Sequence, residues 1–176
     1  EGDMTAWNQL ISTLTSAGDD EVYYRLQGLD IEGNPDPTAE PLLDVKAFID
    51  YMLINQYGGN TDWDYHNWYA IRKRGPDSRG FYFLCWDTEQ IFEGNNDSNL
   101  DINNYAAPTW IFHALLQNTR FVKQYLKRAS EVLAEDGHLG QASVVHLWDS
   151  LYCNIKSAVY VEAARWGDYR KDVHPY

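Results

Sequence analysis

The segment from Asn60 to Glu89 limits the possible folds more than any other part of the chain. It reads NTDWDYHNWYAIRKRGPDSRGFYFLCWDTE. Two short runs, one from Trp68 to Arg74 and one from Phe81 to Trp86, are rich in aromatic and apolar residues. The turn sequence Gly-Pro-Asp-Ser-Arg-Gly separates them. Residues of the first kind favour strands, and glycine with proline marks a chain reversal. The segment therefore predicts a β-hairpin. Pairing its two strands carries Asp62 and Asn67 to the same mouth as Asp87 and Glu89.

Around this hairpin the apolar spacing is helical. Asp3 is placed to cap a helix carrying Trp7, Leu10, Ile11 and Leu14 that ends near Gly18. Asp19, Asp20 and Glu21 open a second, short helix with Val22, Tyr23 and Leu26, stopped by Gly28. Three prolines between Glu32 and Pro41 make that stretch a loop. Asp44 caps a third helix that buries one face through Val45, Phe48, Ile49, Met52 and Leu53 and closes at Gly58 and Gly59. That pair of glycines releases residues 60–67 as an irregular loop on a rigid platform. The Asn/Asp-rich segment 92–107 reads as a surface loop. Beyond Pro108 the spacing predicts helices over 109–117, from Asn118 to near Gly137, and over about 141–166. The expected fold class is mainly α with a small β-hairpin (α+β). No repeat or linker divides the chain, so residues 1–176 are expected to form one domain, with a catalytic or metal-binding segment at 58–92.

Composition narrows the partners. The net charge of −12 repels phosphate backbones and excludes nucleic acid as a favoured partner. A free nucleotide would need a cation or a local basic patch. Aromatic residues make up 15% of the 176 residues, which points to a dense interior or a ring-lined groove rather than disorder. Cys85 and Cys153 have no metal-ligand spacing. Cys85 lies in an apolar run and is expected in the core, and whether the two pair is open. No apolar run approaches the roughly 18 residues of a transmembrane helix. No signal peptide is visible. The chain starts at Glu1 without Met, as a mature form or a piece of a longer protein would.

Phosphoryl transfer requires a carboxylate that positions the acceptor and hard oxygen ligands for a divalent cation. Protein kinases supply these as an Asp, an Asn five residues on, a hairpin, and a further Asp. Asp62, Asn67 and Asp87 stand in that order around the predicted hairpin. The competing reading makes Asp62 and Asn67 ordinary turn formers. Asp97, Asn99 and Asp101 begin like a calcium loop, but Ile102 and Pro108 occupy the positions of its glycine and its final glutamate, leaving a solvated loop. The histidines show no paired metal spacing. His66 either contacts a phosphate or sits at the surface, while His113 and His146 are expected at the core edge. Arg72, Lys73, Arg74 and Arg79 form the one local basic cluster, able to attract a phosphate or an acidic acceptor or simply to solvate the hairpin tip; Arg74 and Arg79 suit the latter. Trp63, Trp68, Tyr69, Tyr82 and Trp86 suit a packed hairpin face, or else a platform for sugar rings.

Taken together, DVKAFIDYM (44–52), GGNTDW (58–63), NWYAIR (67–72), GFYFLCWDTE (80–89), NTRFVKQYLKR (118–128) and the closing AARW (163–166) resemble the CotH kinase family. The resemblance implies an atypical protein-kinase-like fold, of which this chain is the C-terminal lobe, with the N-terminal lobe absent. It also implies transfer of the ATP γ-phosphoryl group to Ser or Thr of a protein substrate, with Mg²⁺ or Mn²⁺. Asp62 would orient the acceptor hydroxyl, and Asn67 and Asp87 would hold the metal. Glu89 stands where the family often has a second Asp and would assist. His66 and Arg72, with Asn67, are the candidate contacts to the nucleotide. Upstream of Asp62 only Lys46 and Arg25 are basic, and both fall on predicted helices, so the lysine that clamps the nucleotide phosphates has no counterpart. The chain alone is therefore expected to be inactive. The family is largely extracytoplasmic or coat-associated, which sets the expected location. A non-catalytic surface or adhesion module, as in the family's invasin-like members, and a carbohydrate-binding module are the alternatives.

Overall fold

A computed structural model describes residues 3–92 and 101–173, with side chains to residue 167. Its elements run α1 (Thr5–Leu14), α2 (Asp20–Leu26), α3 (Val45–Gly58), β1 (Trp68–Ile71), β2 (Tyr82–Cys85), α4 (Pro108–Leu115), α5 (Thr119–Leu133) and α6 (Gln141–Val173). The described fold is mainly helical with one two-stranded antiparallel sheet, as the α+β expectation has it. Its contacts gather into two compact units, residues 1–129 and 130–176.

The first unit is built on α3. Asp44 caps this helix by accepting from the Ala47 N–H at 3.1 Å, and Gly59 ends it in the left-handed conformation, φ 59°. Val45, Phe48, Ile49, Tyr51, Met52, Leu53 and Asn55 are all buried. At 3.6 residues per turn these positions span roughly 200° of the helix circumference, so α3 buries a broader face than its spacing suggests and leaves Lys46, Ile54 and Tyr57 exposed on the other side. Phe83 of β2 packs on it, with ring centroids 5.2 Å from Phe48 and 5.4 Å from Tyr51.

The smaller helices follow their sequence signals. Asp3 accepts from the Thr5 N–H at 2.9 Å, and α1 buries Leu10, Ile11 and Leu14. Asp19 caps α2 through the Glu21 N–H. Asn118 is fully buried and joins two corners of the chain. Its Oδ1 accepts from the N–H groups of Arg120 and Phe121, while its Nδ2 donates to Asp20 and to the Gly18 carbonyl.

The hairpin pairs Trp68 with Cys85 and Ile71 with Tyr82. Both strands are shorter than their aromatic runs. Phe81 leaves the ladder because it pairs elsewhere: its N–H donates to the Leu42 carbonyl and its own carbonyl accepts from the Asp44 N–H, both at 2.9 Å. That side pairing brings Gly80 against the backbone. A Cβ there would lie 2.3 Å from the Leu43 nitrogen, and φ is +87°.

Cys85, expected in the core, is exposed, because the ladder ends there and leaves its flank open. Its sulfur still faces Asn55 Nδ2 at 3.7 Å, and partial burial raises the thiol pKa. Both cysteines are free thiols. Residues 93–100, which include Asp97 and Asn99 of the calcium-like pattern, lie outside the described residues.

In the second unit, the Leu139 N–H returns to the Val132 carbonyl and starts the turn into α6. This helix runs past the expected 166 to Val173. Trp148, Leu151, Ile155 and Val159 on it are exposed. His146 is exposed as well, not at a core edge. No described helix is long and apolar enough to cross a membrane.

Candidate active site

A relay of side-chain amides leads from the end of α3 to Asp62. Asn55 donates to the Tyr51 carbonyl at 3.0 Å, and Asn60 donates to Asn55 Oδ1 at 3.1 Å. Asn60 Oδ1 in turn accepts from the Asp62 N–H at 3.4 Å. Asn55 and Asn60 are both buried, so this polar line is fixed by the core beneath it.

Both oxygens of Asp62 are held by amides. Asn67 Nδ2 donates to Oδ1 at 3.1 Å, and Gln90 Nε2 donates to Oδ2 at 3.3 Å. Gln90 also accepts from the Thr61 hydroxyl at 3.0 Å, and its carbonyl accepts from the Thr61 N–H at 3.3 Å. The chain leaving β2 is thereby stitched to the loop entering β1. Asn67 is buried, and with its nitrogen committed to Asp62 its Oδ1 accepts no hydrogen bond from a described residue.

Asp87 lies two residues past the end of β2, at the end of the hairpin where Asn67 precedes β1. Its φ is +52°, an uncommon value for a residue with a side chain. Asp87 and Glu89 are exposed, and neither carboxylate forms a hydrogen bond or ion pair with a described residue. Among the described residues, no three or more His, Cys, Asp or Glu side chains gather as a metal cage. A cation at this mouth would have to use the Asn67 oxygen beside one or two carboxylates. That sparse set of hard oxygens suits Mg²⁺ or Mn²⁺, which keep waters and substrate phosphates as their other ligands.

Not every candidate converges here. His66 is exposed in the loop before Asn67. Arg72 lies at the turn end of the hairpin, five residues from Asn67, or about 16 Å of extended chain. It pairs there with Glu40 and sits over the Phe81 ring. Trp63 is only 1% exposed, so it cannot be part of a sugar-stacking platform.

Three contributors escaped the sequence reading: Asp64, Gln90 and Asn60. Asp64 is 2% exposed and accepts from Asn104 Nδ2 at 2.7 Å, the Thr109 N–H at 2.9 Å and the Thr109 hydroxyl at 2.6 Å. Its carboxylate thus holds the first turn of α4, where a negative charge is favoured. Beneath the loop, the Tyr51 hydroxyl and Trp63 Nε1 are buried without partners among the described residues, with ring centroids 5.7 Å apart. Burial, helped by Cys85 and Asp64, raises the Tyr51 pKa. The raised pKa favours the neutral phenol.

Comparison with known proteins adds one match. A family model described as CotH kinase protein matches residues 34–174, about four-fifths of the chain, and spans every residue of this mouth. No curated protein and no solved structure matches.

Proposed function

The chain belongs to the CotH kinase family, and from that premise we propose that it is the metal- and acceptor-binding lobe of a kinase that phosphorylates Ser or Thr of a protein from ATP. One observation carries the reading: Asp62 is hydrogen-bonded to Asn67 at the end of the hairpin that also bears Asp87.

In the proposed reaction the acceptor hydroxyl sits against Asp62, whose two amide donors, Asn67 and Gln90, fix its plane. The acceptor oxygen forms a bond to the γ-phosphorus as the bond to the ADP oxygen breaks. The hydroxyl proton passes to the Asp62 carboxylate and then to water. Asn67 Oδ1, Asp87 and Glu89 would hold Mg²⁺ or Mn²⁺, which when bound neutralises phosphate charge. Asn67 acts twice, since its Nδ2 orients Asp62 and thereby leaves its oxygen for the cation. His66, exposed beside Asn67, is within the loop that would face the phosphates.

Lys46 and Arg25 are both exposed helical residues, which supports a clamp for the nucleotide phosphates supplied from outside residues 1–176. On this reading the chain alone transfers no phosphate. The family's association with spore coats supports a location at a coat or surface.

The test is transfer of labelled phosphate from ATP to a Ser-rich protein, with Mn²⁺, by the full-length protein and by Asp62→Ala and Asp87→Ala. Incorporation by the wild type that both substitutions abolish is the expected result. Incorporation no greater than that of the two variants sinks the kinase reading.

A further inference from the structure

Away from the Asp62 mouth, α1 and the turn end of the hairpin enclose a groove of about 450 Å³, within the usual range for ligand sites. Trp7, Trp68 and Phe81 form apolar walls, and Arg72, Arg74 and Asp3 supply its charge. Trp7 stacks on Trp68 with centroids 5.8 Å apart and meets Phe81 edge-on at 5.3 Å, so the walls are braced against each other.

Arg72 makes this groove more than a surface crease. Its side chain is 9% exposed, yet Nε is buried with no hydrogen-bond partner among the described residues. Among the described residues its one anion is Glu40, whose own side chain is 62% exposed. A buried guanidinium N–H without an acceptor is costly, and an entering carboxylate would relieve it with a charge-assisted bond. Arg74 at the rim is joined to Asp3 at 3.4 Å, with both side chains largely exposed. Such an exposed pair is weak and easily exchanged for a better anion. Lys73 and Arg79 belong to the same turn and are held by Asp77 at 2.7 Å and Asp44 at 3.0 Å, so the cations left for an incoming anion are Arg72 and Arg74.

We propose that this groove is a docking site for an acidic peptide segment bearing an apolar side chain, with the carboxylate at Arg72 and Arg74 and the apolar group against the wall formed by Trp7, Trp68 and Phe81. In the kinase reading, on which this role rests, the segment belongs to the protein substrate and anchors it at the opposite end of the hairpin from the Asp62 mouth.

The test uses the purified chain without nucleotide or metal, so it does not depend on catalysis. A short fluorescein-labelled peptide of alternating Glu and Leu is titrated by fluorescence anisotropy, beside a Lys and Leu counterpart. Binding of the acidic peptide alone is expected, weakening with salt and quenching tryptophan emission. Arg74→Gln, at the exposed rim, and Arg72→Gln should each weaken it about tenfold. Since Arg72 is buried, circular dichroism checks that its variant is folded, and Arg74→Gln carries the test if it is not. Equal binding of both peptides, no binding, or full binding by Arg74→Gln overturns the proposal. Acidic-peptide binding in a protein that transfers no phosphate would leave the groove standing and remove the kinase reading instead.

Discussion

Asn67 donates its side-chain amide to Asp62 Oδ1 at 3.1 Å, across five residues of an irregular loop. One contact thereby sets the orientation of a carboxylate and frees a carbonyl oxygen at the same mouth. Asp62→Ala in the full-length protein should lower the rate of phosphoryl transfer by about 10²–10⁴-fold, the range for losing a positioned acid or base. Asn67→Ala should lower the rate and raise the Mn²⁺ concentration needed for half-maximal transfer. Titrating the metal in each variant separates the two roles. An unchanged metal dependence in Asn67→Ala would show that its oxygen is not a ligand.

Asp62 and Asp64 are two residues apart and should fail in opposite ways. Asp64→Ala leaves the Thr109 N–H, the Thr109 hydroxyl and Asn104 Nδ2 without their acceptor in a buried place. The expected cost is about 3 kcal/mol in urea denaturation. Asp62→Ala removes a half-buried side chain and should cost no more than about 1 kcal/mol while producing that loss of rate. Equal stability losses would mean that the loop treats the two carboxylates alike.

Gly80 and Gly75 both have positive φ, at +87° and +95°, but their surroundings differ. Gly80→Ala would drive a methyl group into the backbone of Leu42 and Leu43, costing roughly 3 kcal/mol or more from strain and overlap together. Gly75→Ala meets nothing within 4 Å and should cost about 1 kcal/mol from strain alone. Paired urea melts compare them directly. A Gly80→Ala variant as stable as Gly75→Ala would show that the Phe81–Leu42 pairing is loose.

Alkali should unfold the chain through its buried phenols. Burial pushes Tyr23 up to about 12 and raises Tyr125 as well. In the unfolded chain these groups titrate near 10. Between the two values the unfolded state has released protons that the folded state retains, so stability falls as pH rises. Urea midpoints should hold to about pH 9 and then drop between about 10 and 12, less steeply for Tyr23→Phe. The same slope in that variant would assign the effect to other tyrosines.

Local chemistry made much of the fold legible. Asp19, Asp44 and Asn118 mark helix starts because a short polar side chain can reach a free N–H group, and each does so here. The hairpin followed from its aromatic runs and glycine-bounded turn. What escaped depended on distant partners. The strands are short because Phe81 pairs with Leu42, some forty residues upstream. Cys85 is exposed because the ladder stops at it. Within the mouth, Asp62 and Asn67 showed in their spacing, whereas the burial of Asp64 is decided by Asn104 and Thr109, which no local pattern links to it. Gln90 meets Asp62 across 28 residues for the same reason. Arg72 reads in the sequence as a candidate contact to the nucleotide, whereas the hairpin carries it, together with Arg74, to the end away from Asp62.

The two ends of α3 are tied to the two ends of the hairpin. Asp44, at the start, donates its N–H to Phe81 and pairs with Arg79, while Gly58, at the finish, accepts from the Phe92 N–H. The helix has 14 residues, about 21 Å of rigid rod. It therefore works as a ruler, keeping the Arg72 groove and the Asp62 mouth at a constant interval. A substrate held at both points would be read by spacing as well as by composition, its acidic anchor lying about five extended residues from the hydroxyl that is modified.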